Sequence, residues 1–142
     1  MRRAILAATL AAGLVLTSSG SGLAAGRATV KTRSGSLGTF LVGPNGRTLY
    51  LFTNDTTTKS TCYDACAQAW PPLLTTGKPK AAAKARASLL GTTKRRDGKR
   101  QVTYKGHPLY YYTPDRKAGD TTGQKVGGVW FVVSRTGRAI KR

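Results

Sequence analysis

Glutamate is missing altogether, and the five acids, Asp55, Asp64, Asp97, Asp115 and Asp120, stand against 24 Lys and Arg. The chain has a single methionine, at its start, a single histidine, His107, and only two cysteines, Cys62 and Cys66. Each scarcity weakens the case for a class of chemistry. One histidine in a turn-flanking position gives no basis for a Ser/His/Asp triad, and His107 reads as a surface residue. A soft metal site wants several Cys, Met or His ligands, so no metal or cofactor is expected. A thioredoxin-type dithiol needs C-x-x-C within a βαβ unit, and the spacing here is C-x-x-x-C amid strand-rich sequence. Long apolar runs are scarce too. The longest, Ala4 to Leu16, is Ala-rich and falls short of the roughly 20 residues that cross a bilayer.

That run has another reading. Arg2 and Arg3 precede it as a positive n-region, and small residues follow it from Thr17 to Gly26, with cleavage expected after Ala24 or Ala25. Residues 1–25 are therefore expected to be a signal peptide, leaving no transmembrane helix in the mature form. No cysteine follows the apolar run directly, which argues against lipid modification. The mature chain, about 117 residues, suffices for one domain. It carries 22 basic residues against 5 acids, a net charge of +17. Such a field attracts polyanions: wall polymers, anionic lipid headgroups or extracellular DNA. A merely solvated basic surface is the alternative.

One stretch occurs twice. Residues 46–55, G-R-T-L-Y-L-F-T-N-D, align without gaps on residues 106–115, G-H-P-L-Y-Y-Y-T-P-D. Gly46, Leu49, Tyr50, Thr53 and Asp55 match Gly106, Leu109, Tyr110, Thr113 and Asp115, while Phe52 faces Tyr112 and Arg47 faces His107. A dense match at a fixed offset points to internal duplication. In each copy a strand, 37–42 or 99–104, leads through a Gly-containing turn into a return strand, 47–53 or 107–113. Asn45-Gly46 and Lys105-Gly106 carry the turn chemistry. Alternation puts Phe40 and Val42 on one face and Leu41 on the other. Tyr50 and Phe52, or Tyr110 and Tyr112, share one face of the return strand, with Leu49 and Leu51, or Leu109 and Tyr111, opposite. Both faces are apolar, so these strands are expected to be buried on both sides.

Residues 27–33 read as a first strand and 129–134 as the last. Thr61 to Trp70 reads as a short helix stopped by Pro71-Pro72. Residues 75–88 form a basic Ala/Lys connector, exposed, with a helical turn near Ala81 to Ala85. The tail from Thr136 onward is short and basic. The fold is thus expected to be mostly β: a single small domain of two related antiparallel hairpin repeats with a short helical, disulfide-bearing insert. The domain spans 27–142, with repeat one at about 36–73 and repeat two at about 89–133.

The motifs Tyr50-Leu51-Phe52-Thr53-Asn54-Asp55 and Tyr110-Tyr111-Tyr112-Thr113-Pro114-Asp115 fit Tyr-x-aromatic-x-x-Asp. With Cys62-x-x-x-Cys66-Ala67, Trp70-Pro71-Pro72-Leu73, Asp97-Gly98, Gln101-Val102-Thr103-Tyr104 and Gly119-Asp120-Thr121-Thr122-Gly123-Gln124, they cover roughly residues 36–133. The chain resembles the bacterial secreted-repeat or "lipoprotein 15" family. That resemblance implies an extracytoplasmic location and assigns no activity. Lacking the lipid-bearing cysteine of tethered members, this chain is expected to be freely secreted or wall-associated.

Four residue groups could carry function. Cys62 and Cys66, four apart in an oxidising compartment, are expected to form a disulfide with local distortion of the helix. Asp55 and Asp115 could be a paired carboxylate site for acid/base work or for a hard cation; alternatively each caps its own hairpin end or meets a nearby Arg. The aromatics Tyr50, Phe52, Tyr110, Tyr111, Tyr112, Trp70 and Trp130 could line a ligand groove, but a small β domain needs about that many for its core. Lys94, Arg95, Arg96, Lys99 and Arg100 are the densest basic cluster and candidate polyanion contacts. Basic residues spread along the rest of the chain, with no nucleic-acid motif, argue against sequence-specific recognition of nucleic acid. These features point to an exported, non-enzymatic basic module that binds anionic envelope polymers or surfaces. The alternatives are an accessory in extracytoplasmic redox or metal chemistry, and an envelope hydrolase using the two Asp.

Overall fold

Each half of the chain opens on an antiparallel hairpin. In the computed structural model, which describes residues 26–142, β1 (Thr29–Gly35) pairs with β2 (Gly38–Val42), Lys31 opposite Val42 and Gly35 opposite Gly38. In the second half β5 (Leu90–Lys94) pairs with β6 (Arg100–Tyr104), Leu90 opposite Tyr104 and Lys94 opposite Arg100. The expected leader, residues 1–25, lies outside the described residues.

From β2 the chain turns through Gly46, and from β6 through Lys105 and Gly106. The glycines sit at φ 80° and 78°, where a side chain is strained. The return strand does meet β2, as Val42 faces Thr48 and the Leu49 amide donates to the Leu41 carbonyl at 3.0 Å. The second copy repeats this: Thr103 faces Pro108 of β7 (His107–Pro108), and the Leu109 amide donates to Val102 at 3.0 Å.

Beyond that point each return strand leaves its own hairpin for the other repeat. β3 (Tyr50–Phe52) pairs antiparallel with β8 (Trp130–Val132), Tyr50 opposite Val132 and Phe52 opposite Trp130. Reciprocally, the segment after the helix runs beside the second return strand, the Leu73 amide donating to Leu109 at 2.9 Å and Tyr111 to Pro71 at 2.8 Å. The same bond recurs between Val133 and Leu49, and Thr53 to Val129 matches Thr113 to Ala69. At the centre Tyr50 and Tyr110 exchange both backbone bonds, at 2.8 and 3.0 Å. The duplication thus folds as two halves that trade strands about a pseudo-two-fold axis through this pair.

Alternation on the doubly covered strands produces two cores. One gathers Leu41, Leu49, Leu51, Val102, Leu109 and Val133; the other gathers Phe40, Val42, Tyr50, Tyr110, Trp70 and Trp130. The expected split of Phe40 and Val42 from Leu41 is observed, and both faces of β3 are buried.

The connector and the helix differ from the sequence expectation. The connector is not simply an exposed tether with a helical turn near Ala81 to Ala85. It carries β4 (Lys80–Ala81), parallel to β1, and its single helical turn is 3-10, at Ala87–Leu89. Open backbone carbonyls along the edge of β1 select this pairing: the Lys80 amide donates to the Ala28 carbonyl and the Ala82 amide to the Val30 carbonyl. The short basic tail joins the fold. It turns at Gly137 and folds back, so that the Ile140 amide donates to Val132 at 2.9 Å and the Ile140 side chain is buried. The helix of the disulfide-bearing insert, α1 (Ala65–Ala69), is shorter than expected.

Candidate functional site: crossed tyrosine–aspartate pairs and a cationic face

Past each return strand the chain makes one turn, closed by the Asp55 amide on Phe52 and by the Asp115 amide on Tyr112, both at 3.0 Å. Both Asp side chains are buried, and each is met by the other repeat. The Tyr110 hydroxyl donates to Asp55 Oδ2 at 2.5 Å, and the Tyr50 hydroxyl to Asp115 Oδ2 at 2.6 Å. The remaining oxygens serve the chain just ahead. Asp55 Oδ1 accepts from the Thr61 amide and hydroxyl, and Asp115 Oδ1 from the Thr122 amide and hydroxyl. Each phenol has a further contact: Tyr110 donates to or accepts from Ser60 Oγ at 2.7 Å, and Tyr50 accepts from the Gly123 amide at 3.2 Å.

These bonds explain how a carboxylate is tolerated in a core. Each of the two buried carboxyl groups holds three hydrogen-bond donors. Burial pushes the ionisation of Tyr50 and Tyr110 well above the usual phenol range, and the adjacent carboxylate pushes it further. The phenols therefore stay protonated and stay donors. Burial also raises Tyr111, to about 12, against the opposing pull of Arg47. Neither carboxylate serves its own hairpin end alone or pairs with an Arg, as one sequence reading expected; the Arg47 guanidinium donates instead to the Asp115 main-chain carbonyl. The two carboxylates share no hydrogen-bond partner. Among the described residues no three of His, Cys, Asp and Glu gather as a metal site.

The aromatics of the motif form a column. Trp70 and Trp130 stack with centroids 3.9 Å apart and planes parallel, Phe52 lies on Trp130 at 4.2 Å and Tyr112 on Trp70 at 4.0 Å. Tyr50 meets Trp70 edge-on at 5.3 Å, and Tyr110 meets Trp130 edge-on at 5.1 Å. Each contact has its image in the other repeat. Both indoles are 5% exposed, so the central rings are core and not groove.

The insert contains the expected Cys62–Cys66 disulfide, Cα atoms 5.2 Å apart. Only Cys66 lies in the helix, and Asp64 between them takes φ 54°, the local distortion the spacing demanded. His107 is half-buried, not a surface residue. Desolvation and then Lys105 hold its ionisation below the usual range.

The basic cluster divides. Arg95 is 5% exposed, and its guanidinium donates to Ser60 Oγ, Gln101 Oε1 and the Cys62 carbonyl. Packed under the insert, it cannot serve as the surface contact the sequence suggested. Lys94, Arg96, Lys99 and Arg100 are exposed, with Arg96 lying over the Tyr63 ring at 3.7 Å. Sequence reasoning missed Thr61 and Thr122, the partners of the two Asp, and Ser60, which meets the Tyr110 hydroxyl and Arg95. A hydroxyl residue six or seven positions after each motif Asp was the available signal.

A family of secreted repeats of unknown function, lipoprotein 15, matches the chain twice, over residues 31–74 and 91–134. The chain belongs to that family. No curated protein and no solved structure matches it. The lipoprotein 15 repeat is described as secreted, which places the chain outside the cytoplasm. In this member of the family the Tyr and Asp of one repeat motif bond to those of the other copy. No described helix is long and apolar enough to cross a membrane.

Proposed function

We propose that this chain is a non-enzymatic exported module that associates with anionic polymers or surfaces of the cell envelope through its basic exterior. The observation that carries this reading is where the acids are spent. Asp55 and Asp115 are buried, and Asp97 and Asp120 accept backbone amides of their own loops, from Lys99, Arg116 and Lys117. Among the described residues every hydrogen bond to an Asp carboxylate comes from a hydroxyl or a backbone amide, none from a Lys or Arg side chain. The exterior charge is therefore left to be met by partners. The same bonds occupy the two carboxylates that acid/base chemistry would need.

The test is co-sedimentation of the purified protein with isolated cell wall and with vesicles of anionic or neutral lipid, across a salt series. The expected result is binding to the anionic materials alone, released as the screening length falls from about 10 Å at 0.1 M to about 3 Å at 1 M salt. Binding that salt leaves intact, or none at low salt, would refute the proposal.

A further inference from the structure

The two repeats provide an internal control, because a residue that the fold needs should recur at the equivalent place. Thr39 lies three residues before Val42, and Arg100 three before Thr103, the residues at which each hairpin meets its return strand. Their cross-strand partners are Ser34 and Lys94. In repeat one the pair is hydroxyl to hydroxyl, with Ser34 Oγ and Thr39 Oγ1 3.4 Å apart. In repeat two the same place sets Lys94 opposite Arg100. Like charges directly opposed on a sheet are destabilising. The fold manages with Ser and Thr there, so the cations are an addition specific to repeat two.

Arg100 also lines two clefts. One, of about 260 Å³, runs between it and Lys78, Pro79, Leu90 and Thr92; the other, of about 460 Å³, is lined by Leu74, Thr75, Thr76, Lys99 and Arg100. Neither is lined by an acid. The Arg27 guanidinium donates to the Lys78 carbonyl at 2.7 Å, adding another cation beside the first cleft. Both clefts combine cations, threonines and aliphatic side chains, and neither presents an aromatic ring on which a nucleobase could stack. Recurrent anions joined by a hydroxyl-bearing, base-free chain match this lining, and an Arg shared by two clefts suits a phosphate held in a fork.

We propose that these two clefts form a binding groove for a phosphodiester-linked polyol or sugar chain, with Arg100 between successive subsites. The proposal rests on the envelope-binding reading above and gives it a location. The probe is poly(glycerol phosphate), titrated calorimetrically into the mature protein, with single-stranded DNA as comparator. Lys94→Ser/Arg100→Thr installs the residues repeat one already carries. Arg116→Gln/Lys117→Gln removes the same charge from another loop, and thermal unfolding verifies that both variants fold.

The expected result is a loss of about tenfold or more for the first variant and a much smaller loss for the second, since removing contacts costs more than weakening the general field. Equal losses would overturn the groove and leave a diffuse basic surface, with the envelope-binding reading intact. No binding of the polymer by the wild-type protein, with binding to isolated wall retained, would overturn the polyol-phosphate ligand alone. Absence of both would bring down the parent reading too. DNA bound as tightly, and equally weakened by the first variant, would overturn the ligand class.

Discussion

A double-mutant cycle distinguishes the crossed arrangement from its intuitive rival, in which each motif Asp serves the Tyr of its own repeat. Tyr50→Phe removes the bond to the buried Asp115 carboxylate and the acceptor of the Gly123 amide. Hydrogen bonds to charged groups contribute about 1.5–3 kcal/mol, so a loss near 2 kcal/mol is expected, a shift of about 1 M in the urea midpoint. Asp115→Asn should cost a similar amount, because the amide cannot satisfy Tyr50 and both Thr122 donors as a carboxylate does. Combining the two should cost less than their sum by about 1–2 kcal/mol, the coupling expected of partners in one network. Tyr50→Phe with Asp55→Asn should instead be additive within about 0.5 kcal/mol. Measured by urea denaturation with unchanged m-values, coupling in the Tyr50/Asp55 cycle and none in Tyr50/Asp115 would refute the exchange of partners.

Further expectations follow from the same packing. Folding holds the Tyr50 and Tyr110 protons more tightly than the unfolded chain does, whose phenols ionise near about pH 10. That stabilisation is intact below about pH 10 and drains away as the pH rises above it. Alkaline unfolding followed by circular dichroism should therefore be steep, and flatter in Tyr50→Phe/Tyr110→Phe; equal slopes would contradict the assignment. Gly123→Ala would place a methyl 2.8 Å from Trp70 and 2.9 Å from both Tyr50 and Tyr112, an overpacking that should cost about 1–3 kcal/mol by urea denaturation. Replacing Cys62 and Cys66 by Ser opens only a small loop, so the protein should still fold and lose about 2 kcal/mol on thermal unfolding. Loss of the fold would show that the insert is a nucleus and not a staple.

The duplication was open to reading because Tyr50, Phe52 and Asp55 recur with their spacing intact, and alternation showed that Leu41 and Phe40 face different cores. Strand partnership was not legible. A return strand apolar on both faces must be covered twice, but nothing in Leu49 to Phe52 says that Trp130 to Val132 of the other repeat lies beside it. The burial of Arg95 escaped for a related reason. Its place in a run of cations resembles a surface patch, and only the fold reveals the Ser60, Gln101 and Cys62 acceptors that hold it. The connector's strand was hidden by composition, since Lys80-Ala81 has no β signature and pairs through its backbone alone. The two Asp stood out in the sequence because they recur with the motif. What each one does depended on a residue at least 55 positions away.

The strand exchange has a temporal consequence. Leu41, in the first hairpin, is bonded to Val133, 92 positions later, and Phe40 lies opposite Ser134. The centre of the molecule cannot close until both the first hairpin and residues 129–134 are present. Pairings so distant in sequence form slowly, so a partly emerged chain has no finished half to hold it compact. The fold locks only when β8 reaches β3 and the residues after it meet β2, so the two repeats close together.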